Sequence, residues 1–247
     1  MSDWKAKRFW TEAAVVPCEG GFAIELDGRP VKTPAKRALV VPTSAMADAV
    51  AAEWQAQEGV IKPDTMPVTK TANAAIDKVS IQHAEVADML AAYGDADLLC
   101  YRAASPDGLV ARQIEIWDPM LAWAKDALDV QLETRTGVIH QPQDPAAIQK
   151  LSDRTHALDA FELAAFHDLV SLSGSLILGF AATLKAQDAD VLWDISRLDE
   201  IWQAEQWGRD DDAEALAALK KASFAHAHKM FHLCKNSLSD LEALRRV

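Results

Sequence analysis

The residues of this chain with the clearest potential for chemistry are histidines near its C-terminal end. His228 and His232 are four residues apart, so on a helix both side chains project from one face at a spacing that suits two ligands of one metal ion. Cys234 would be rotated well away from both, and the sequence indicates no third ligand. A metal-dependent hydrolase built on His228 and His232 is therefore kept as an alternative, while histidines on a helix surface or in a core are the commoner case.

Other signatures of catalysis do not occur in the sequence. It contains neither a phosphate-binding G-x-x-x-x-G-K-[ST] loop nor a G-x-G-x-x-G turn, and no G-x-S-x-G nucleophile turn is present. Asp199 and Glu200 are adjacent, so on a helix their carboxylates point about 100° apart, which does not suit a shared acid–base pair. We therefore predict no catalytic set, no cofactor, no bound metal and no nucleotide.

The charge of the chain limits its partners. The formal net charge of −12 argues against nucleic acid and against an anionic membrane surface. Residues 188–214 contain ten acidic side chains against Arg197 and Arg209, a local charge of −8. Such a surface favours a basic protein partner, although a solvated acidic face without a partner is commoner in general.

The location is inferred from cysteines and apolar segments. Three widely spaced cysteines suit a reducing compartment, and the first residues lack the apolar core of a signal peptide and the features of a transit peptide. The uncharged run at residues 169–184 is short for a membrane span and predicts a buried helix. We expect a cytoplasmic protein that does not insert into a membrane.

One helical segment, residues 188–208, carries both tryptophans and carboxylates. At 100° per residue its expected core face consists of Val191, Ile195, Leu198 and Trp202. Trp193 and Trp207 then project from roughly the opposite side, with Glu200 between them and Gln203 near Trp207. Large exposed aromatic side chains rimmed by polar groups are typical of an interaction surface. The alternative is a helix packed between two layers of its own protein.

The elements around this helix predict the α+β class. The first 60 residues form a β-rich unit, with alternation from Phe22 to Leu26, a turn at Asp27-Gly28 and one closing helix after Thr43. Residues 61–247 form an α-helical domain. Its predicted helices begin at the caps Ser80, Asp144 and Asp159 and at positions near 106, 188 and 211, with an interruption at Trp117-Asp118-Pro119. Ser171, Ser175 and Gly179 form a small-residue stripe along one long apolar helix.

Several blocks of the sequence occur in the order and spacing of one family. They are Arg8-Phe9-Trp10, residues 20–34, Glu53-Trp54, the segment from Asp95 to Arg102, Trp117-Asp118-Pro119, and the segment from Arg197 to Gly208. Over residues 7–234 the chain resembles the chaperones that act on the alpha subunit of the ATP synthase catalytic head. The resemblance implies a non-catalytic protein that holds new alpha subunits until they pair with beta. Its relatives in eukaryotes act in the mitochondrial matrix, and since no transit sequence is recognised here, this member is expected in a bacterial cytoplasm. An adaptor for a basic protein partner is the remaining alternative.

The resemblance also implies roles for individual residues. The family's functional acidic residue corresponds to Glu200, while position 199 carries Asp where the pattern leads us to expect Glu. The expected partner-binding set is Glu200, Trp207, Gln203, Trp193, Asp199 and Arg197. A second set is structural or contacts the partner: Trp54, Asp95, Asp97, Arg102, Trp117 and Asp118. Within it, Trp54 is expected to join the two units and Trp117-Asp118-Pro119 to form a helix kink, while an internal ion network and a binding patch are equal alternatives for Asp95, Asp97 and Arg102.

Overall fold

The N-terminal part of the molecule is a small antiparallel sheet, as predicted. The computed structural model describes residues 7–137 and 139–235. Strands β1 (Ala13–Cys18) and β2 (Gly21–Leu26) pair over their full length, and β2 also pairs with β3 (Arg29–Pro30) and β4 (Val40–Val41). Where β4 pairs with β2, the close approach of the two strands excludes any side chain at Gly21, because a Cβ there would lie 2.2 Å from the Val41 carbonyl oxygen. The alternating residues of β2 bury Ile24 and Leu26 beneath the sheet.

Helix α1 (Ser44–Gln55) covers the buried face of this sheet. Thr43 caps it by accepting a hydrogen bond from the Met46 amide at 3.1 Å, which fits the expected helix start after the strands. One continuous cluster of buried apolar residues includes Ile24 of the sheet, Val50 of α1 and Leu163 of the helical region. The division into units at 1–60 and 61–247 stays a prediction.

The rest of the described chain is mostly helical, which confirms the α+β class. The helices before residue 160 are α2 (Pro67–Ala74), α3 (His83–Ala91), α4 (Asp107–Leu128) and α5 (Pro145–His156). The later ones are α6 (Ala160–Ser173), α7 (Leu176–Thr183), α8 (Ala189–Ser196), α9 (Leu198–Trp207) and α10 (Asp211–Leu233). A short parallel pair, β5 (Tyr101–Arg102) and β6 (Arg135–Thr136), lies between them. No helix within the described ranges is both long enough and apolar enough to cross a membrane.

Of the three predicted helix caps, two are confirmed and one is wrong, while the helices expected near residues 106, 188 and 211 begin at Asp107, Ala189 and Asp211. Asp144 caps α5 with Pro145 in its first turn, and Asp159 forms a complete capping box with Glu162 at the start of α6. Ser80 caps no helix. It ends a π-helical turn (Ala75–Val79) that continues α2, and α3 begins three residues later after Gln82.

The predicted interruption at Trp117-Asp118-Pro119 is also wrong. Helix α4 continues through Pro119 to Leu128. Pro119 is exposed, so the carbonyl that loses its partner at this proline lies on the solvent side of the helix. Water can satisfy that carbonyl, and the buried side of α4 is undisturbed.

The long apolar helix of the prediction is two helices. Gly174, at φ 73°, ends α6, and Ser175 caps α7 by accepting a hydrogen bond from the Leu178 amide at 3.0 Å. Ser171, Ser175 and Gly179 are therefore not one stripe. Close approach does occur at Gly179, where a Cβ would lie 2.7 Å from a Val170 methyl group of α6.

Candidate functional site

Helix α9 and the first half of α10 enclose an open groove of about 710 Å³. We call it the α9–α10 groove. Five of the six residues predicted to bind a partner line it: Trp193, Arg197, Glu200, Gln203 and Trp207. The structure thus brings most of the predicted set to one place, although not with the orientations expected.

Trp193 does not point outward, so this part of the prediction is wrong. Its side chain is 4% exposed and packs against Phe224 of α10, with ring centroids 5.8 Å apart. Val191, predicted to face the core, is 44% exposed. The helix breaks at Arg197, where φ is −105° and ψ is 15°, so a step of 100° per residue cannot be carried from α8 into α9. Trp193 forms the buried floor of the groove.

Trp207 projects as predicted. It is the last residue of α9, and its side chain is 80% exposed. Gly208 follows at φ 93° and turns the chain towards α10. Leu216 of α10, also largely exposed, lines the same groove. Together they offer apolar area that the described part of the chain leaves uncovered.

Glu200 lies at the rim of the groove, and its side chain is 53% exposed. It forms an ion pair with Arg197, three residues earlier, whose guanidinium lies over the Trp193 ring at 5.6 Å from the centroid. Burial beside this ring lowers the pKa of Arg197. An exposed ion pair of this spacing contributes only about 0.5 kcal/mol. Glu200 can therefore exchange Arg197 for a cation on another protein at little cost.

Polar contacts with α4 hold α9 in place. Arg112 donates two hydrogen bonds to Glu205, at 2.6 and 3.1 Å, and these bonds lower the pKa of the Glu205 carboxyl. The Gln113 amide donates to Asp199 at 2.8 Å. Asp199 is not among the residues that line the groove, so a contact between Asp199 and a partner protein stays a prediction.

An aromatic contact completes this attachment. The Trp202 ring packs over Gly108, where a Cβ would lie 2.7 Å from the indole. Trp202 was predicted to face the core, and its side chain is half-buried. Leu198 is the one residue of α9 that is buried, so the core alone holds this helix weakly. The contacts with α4 therefore fix its position.

Sequence reasoning missed the second wall of the groove, on α10. Ala213, Leu216, Ala217 and Lys220 line it, together with Arg209 in the preceding turn. A signal was present in the sequence. Ala213, Ala217 and Lys220 continue, at helical spacing, the stripe of Phe224, Ala227 and Phe231 that is buried further along α10.

The second predicted set makes internal contacts away from the groove. Arg102 forms an ion pair with Asp118 at 2.7 Å, and its guanidinium lies over the ring of Trp117. The Trp117 indole is fully buried and donates to the Ile195 carbonyl at 2.9 Å. These contacts tie α4 to the last turn of α8. They support a structural role for all three residues, in a helix that is continuous through this segment.

The other aspartates of this set also have internal partners. Asp97 is fully buried and accepts hydrogen bonds from the amides of Leu99 and Ile177 and from the Ser175 hydroxyl. Burial raises the pKa of Asp97 to about 6. Asp95 accepts a hydrogen bond from the Gln143 amide at 2.7 Å. These contacts are internal, although the partners of Asp97 are neutral donors and not ions, and the role of this set in binding stays a prediction.

Trp54 is half-buried on α1 and packs edge-on against Trp10 at 5.3 Å between ring centroids. Trp10 is itself buried in the segment that leads into β1. The contact therefore joins the N-terminal segment to α1. A wider role for Trp54 in joining two units stays a prediction.

His228 and His232 lie on one face of α10, with ring centroids 4.6 Å apart. His232 Nε2 lies 3.2 Å from the Ala182 carbonyl oxygen, and burial lowers the pKa of both histidines, that of His232 to about 4. Across the described ranges, no three His, Cys, Asp or Glu side chains are grouped as ligands of one ion. The hydrolase alternative therefore finds no complete ligand set among these residues.

Comparison with known proteins defines the class, a chaperone. The family profile described as ATP12 chaperone protein matches residues 7–125. The solved structure of Atp12 from Paracoccus denitrificans has a TM-score of 0.92 and 48% sequence identity, over 94% of this chain and 100% of that chain. A variant of the P. denitrificans protein with lysine in place of one aspartate gives the same score and identity, over 95% of this chain and 100% of that one.

A more distant relative comes from a eukaryote. The mitochondrial Atp12 protein of Schizosaccharomyces pombe is 26% identical over 225 residues, which cover 85% of this chain and 76% of the yeast protein. The two P. denitrificans matches cover 94–95% of this chain, whereas the family profile ends at residue 125, before the helices that form the groove. The chain belongs to the ATP12 chaperone family.

Proposed function

We propose that this protein is a non-catalytic assembly chaperone of the ATP synthase catalytic head. It binds the unassembled alpha subunit and prevents its aggregation until the subunit pairs with beta. Membership of the ATP12 chaperone family supports the class of function. The observation that carries the proposal in this chain is the open α9–α10 groove, with the exposed Trp207 at its edge.

The groove has the surface chemistry that a temporary cover requires. An unassembled subunit exposes apolar interface area that would otherwise self-associate. Trp207 and Leu216 offer apolar area for such an interface, and the carboxylates around them keep the surface polar enough to release the client. Trp193 and Arg197 lie beneath and support this surface, while Gln203 is exposed beside it.

Glu200 is the proposed electrostatic contact with the client. In the free chaperone its carboxylate pairs with Arg197, and an arginine or lysine of the alpha subunit replaces that partner on binding. Like charges placed opposite each other across an interface cost several kcal/mol. Reversal of the charge at this position should therefore block binding without disturbing the fold.

The test is a Glu200→Lys variant. We expect it to unfold at the wild-type temperature and to lose its protection of isolated alpha subunit, with an affinity at least about tenfold weaker, or ~1.4 kcal/mol. Protection is measured by light scattering of alpha subunit diluted from denaturant with an equimolar amount of chaperone.

Asp126→Lys is the matched control, because Asp126 is an exposed carboxylate on α4 that does not line the groove. This variant should protect as well as the wild-type protein. Full protection by a folded Glu200→Lys variant would remove Glu200 from the binding site.

We also propose that the protein acts in the bacterial cytoplasm. The S. pombe relative is named as mitochondrial. Cys18, Cys100 and Cys234 are all free thiols, which suits a reducing compartment.

A further inference from the structure

We propose that the α9–α10 groove receives an amphipathic helix of the client, with its apolar face against the groove and a basic residue on its flank. This inference rests on the proposed function and adds the kind of segment that is recognised. Two facing helix surfaces, the backbone chemistry of the groove and its charge support it.

The first surface is a stripe on α10 whose two halves have different environments. Its C-terminal half consists of Phe224, Ala227 and Phe231, which are buried against the body of the protein. The N-terminal half of the same stripe passes through Ala213, Ala217 and Lys220, all exposed and all lining the groove. The stripe continues past the end of the core that covers it, so one packing position along α10 is vacant in the described chain.

The second surface is the side of α9 that faces this stripe. Ile201 and Ala204 line the groove three residues apart on one face of α9, and Gly208 lines it directly after the helix ends. Ala204 and Gly208 on this wall, and Ala213 and Ala217 on the other, are small. A third helix can therefore approach both walls closely, at the interaxial distances of packed helices.

The backbone chemistry of the groove favours a helix over an extended segment. The described residues that line it belong to α8, α9, α10 and the turns between them, and none belongs to a strand. An extended peptide would find no strand edge there for its own N–H and C=O groups, which would be costly to bury unpaired. A helix satisfies these groups internally, as in other helix-in-groove complexes.

The charge of the groove indicates which side chains lie beside the apolar face of the bound helix. Its acidic residues are Asp194, Glu200, Glu205, Asp210 and Glu214, and its basic residues are Arg197, Arg209 and Lys220. Five acids against three bases leave a net charge of −2, within a segment that carries −8 over residues 188–214. A helix with arginine or lysine beside its apolar face complements this surface. The ten residues of α9 span about 15 Å, which corresponds to roughly three turns of the bound helix.

The experiment fills the groove with a side chain. Ala217→Trp places an indole where the helix would pack, and because Ala217 is exposed the variant should fold normally. Ala215→Trp is the matched control: Ala215 is exposed on the same helix but does not line the groove. We expect Ala217→Trp to weaken binding of isolated alpha subunit at least tenfold and Ala215→Trp to leave it unchanged.

A second measurement identifies the bound segment. The photoreactive residue p-benzoylphenylalanine is placed at Ala213 in the full chain and irradiated with isolated alpha subunit, and the crosslinked peptide is sequenced by mass spectrometry. We expect one segment with apolar residues at helical spacing and an adjacent arginine or lysine. A crosslink confined to a segment with strand-like alternation would overturn the proposal.

The outcomes separate this inference from the proposed function. If Glu200→Lys abolishes protection while Ala217→Trp retains it, the client binds but does not enter the groove, and only the helix proposal is lost. If a folded wild-type protein neither binds nor protects alpha subunit, the proposed function fails as well. If the client enters the groove only after residues 236–247 are removed, this chain itself occupies the site, and the client helix is the wrong occupant.

Discussion

Replacement of Trp117 by phenylalanine should destabilise the protein and disturb the groove from a distance. The Trp117 ring is fully buried in α4, and its Nε1 donates to the Ile195 carbonyl at 2.9 Å. Ile195 lies in the last turn of α8, where carbonyl groups have no partner within the helix. The indole therefore holds the end of α8 just before the break at Arg197 from which α9 starts.

Two terms contribute to the expected loss of stability. Phenylalanine is smaller than tryptophan by roughly 40 Å³, and a cavity of that size costs about 1 kcal/mol at ~24 cal/mol per Å³. The Ile195 carbonyl loses its donor in a partly buried contact, which costs a further ~1–3 kcal/mol. The free energy of unfolding should therefore fall by about 2–4 kcal/mol.

Trp207→Phe is the matched control, since it makes the same substitution at a side chain that is 80% exposed. Its effect on stability should lie within about 0.5 kcal/mol of zero. Both variants are compared with the wild-type protein by urea unfolding, followed by far-ultraviolet circular dichroism. A loss below about 1 kcal/mol for Trp117→Phe would refute the assigned role of its indole N–H and of its packing.

Two further substitutions test the attachment of α9 and the histidines of α10. In Gly108→Ala the new methyl displaces the Trp202 ring, while the gain in helix propensity, up to about 1 kcal/mol, offsets the clash. We expect nearly unchanged thermal stability but faster hydrogen exchange in α9; wild-type exchange there would contradict the contact. Burial lowers the pKa of His232 to about 4, below its ordinary value of 6.5. Between these two pH values the unfolded chain binds more protons than the folded chain, so the free energy of unfolding decreases as the pH falls from 6.5 to 4. His232→Gln keeps a donor for the Ala182 carbonyl and should lose less stability in acid than the wild-type protein. The measurement compares the unfolding temperatures of both proteins at pH 4.5 and pH 7.5. If both proteins show the same pH profile, His232 is not the source of the acid sensitivity.

Local signals in the sequence determined much of this fold. The Asp159–Glu162 capping box and the Asp144-Pro145 helix start each depend on residues within one turn, so they are formed wherever the chain lies. Alternation in β2 likewise identified its buried side before any partner strand was known. Tryptophans and carboxylates concentrated near residue 200 identified the region of the candidate site.

The orientation of those side chains was decided by tertiary structure. Helical periodicity predicts which residues share a face only while the helix continues, and the breaks at Gly174 and Arg197 reset it. Trp193 consequently lies under α10 instead of beside Trp207, because Phe224, thirty-one residues further along the chain, supplies its packing partner. Whether an apolar stripe is core or open surface depends on which distant helix reaches it, and the exposed half of α10 is the part that none of the described helices covers.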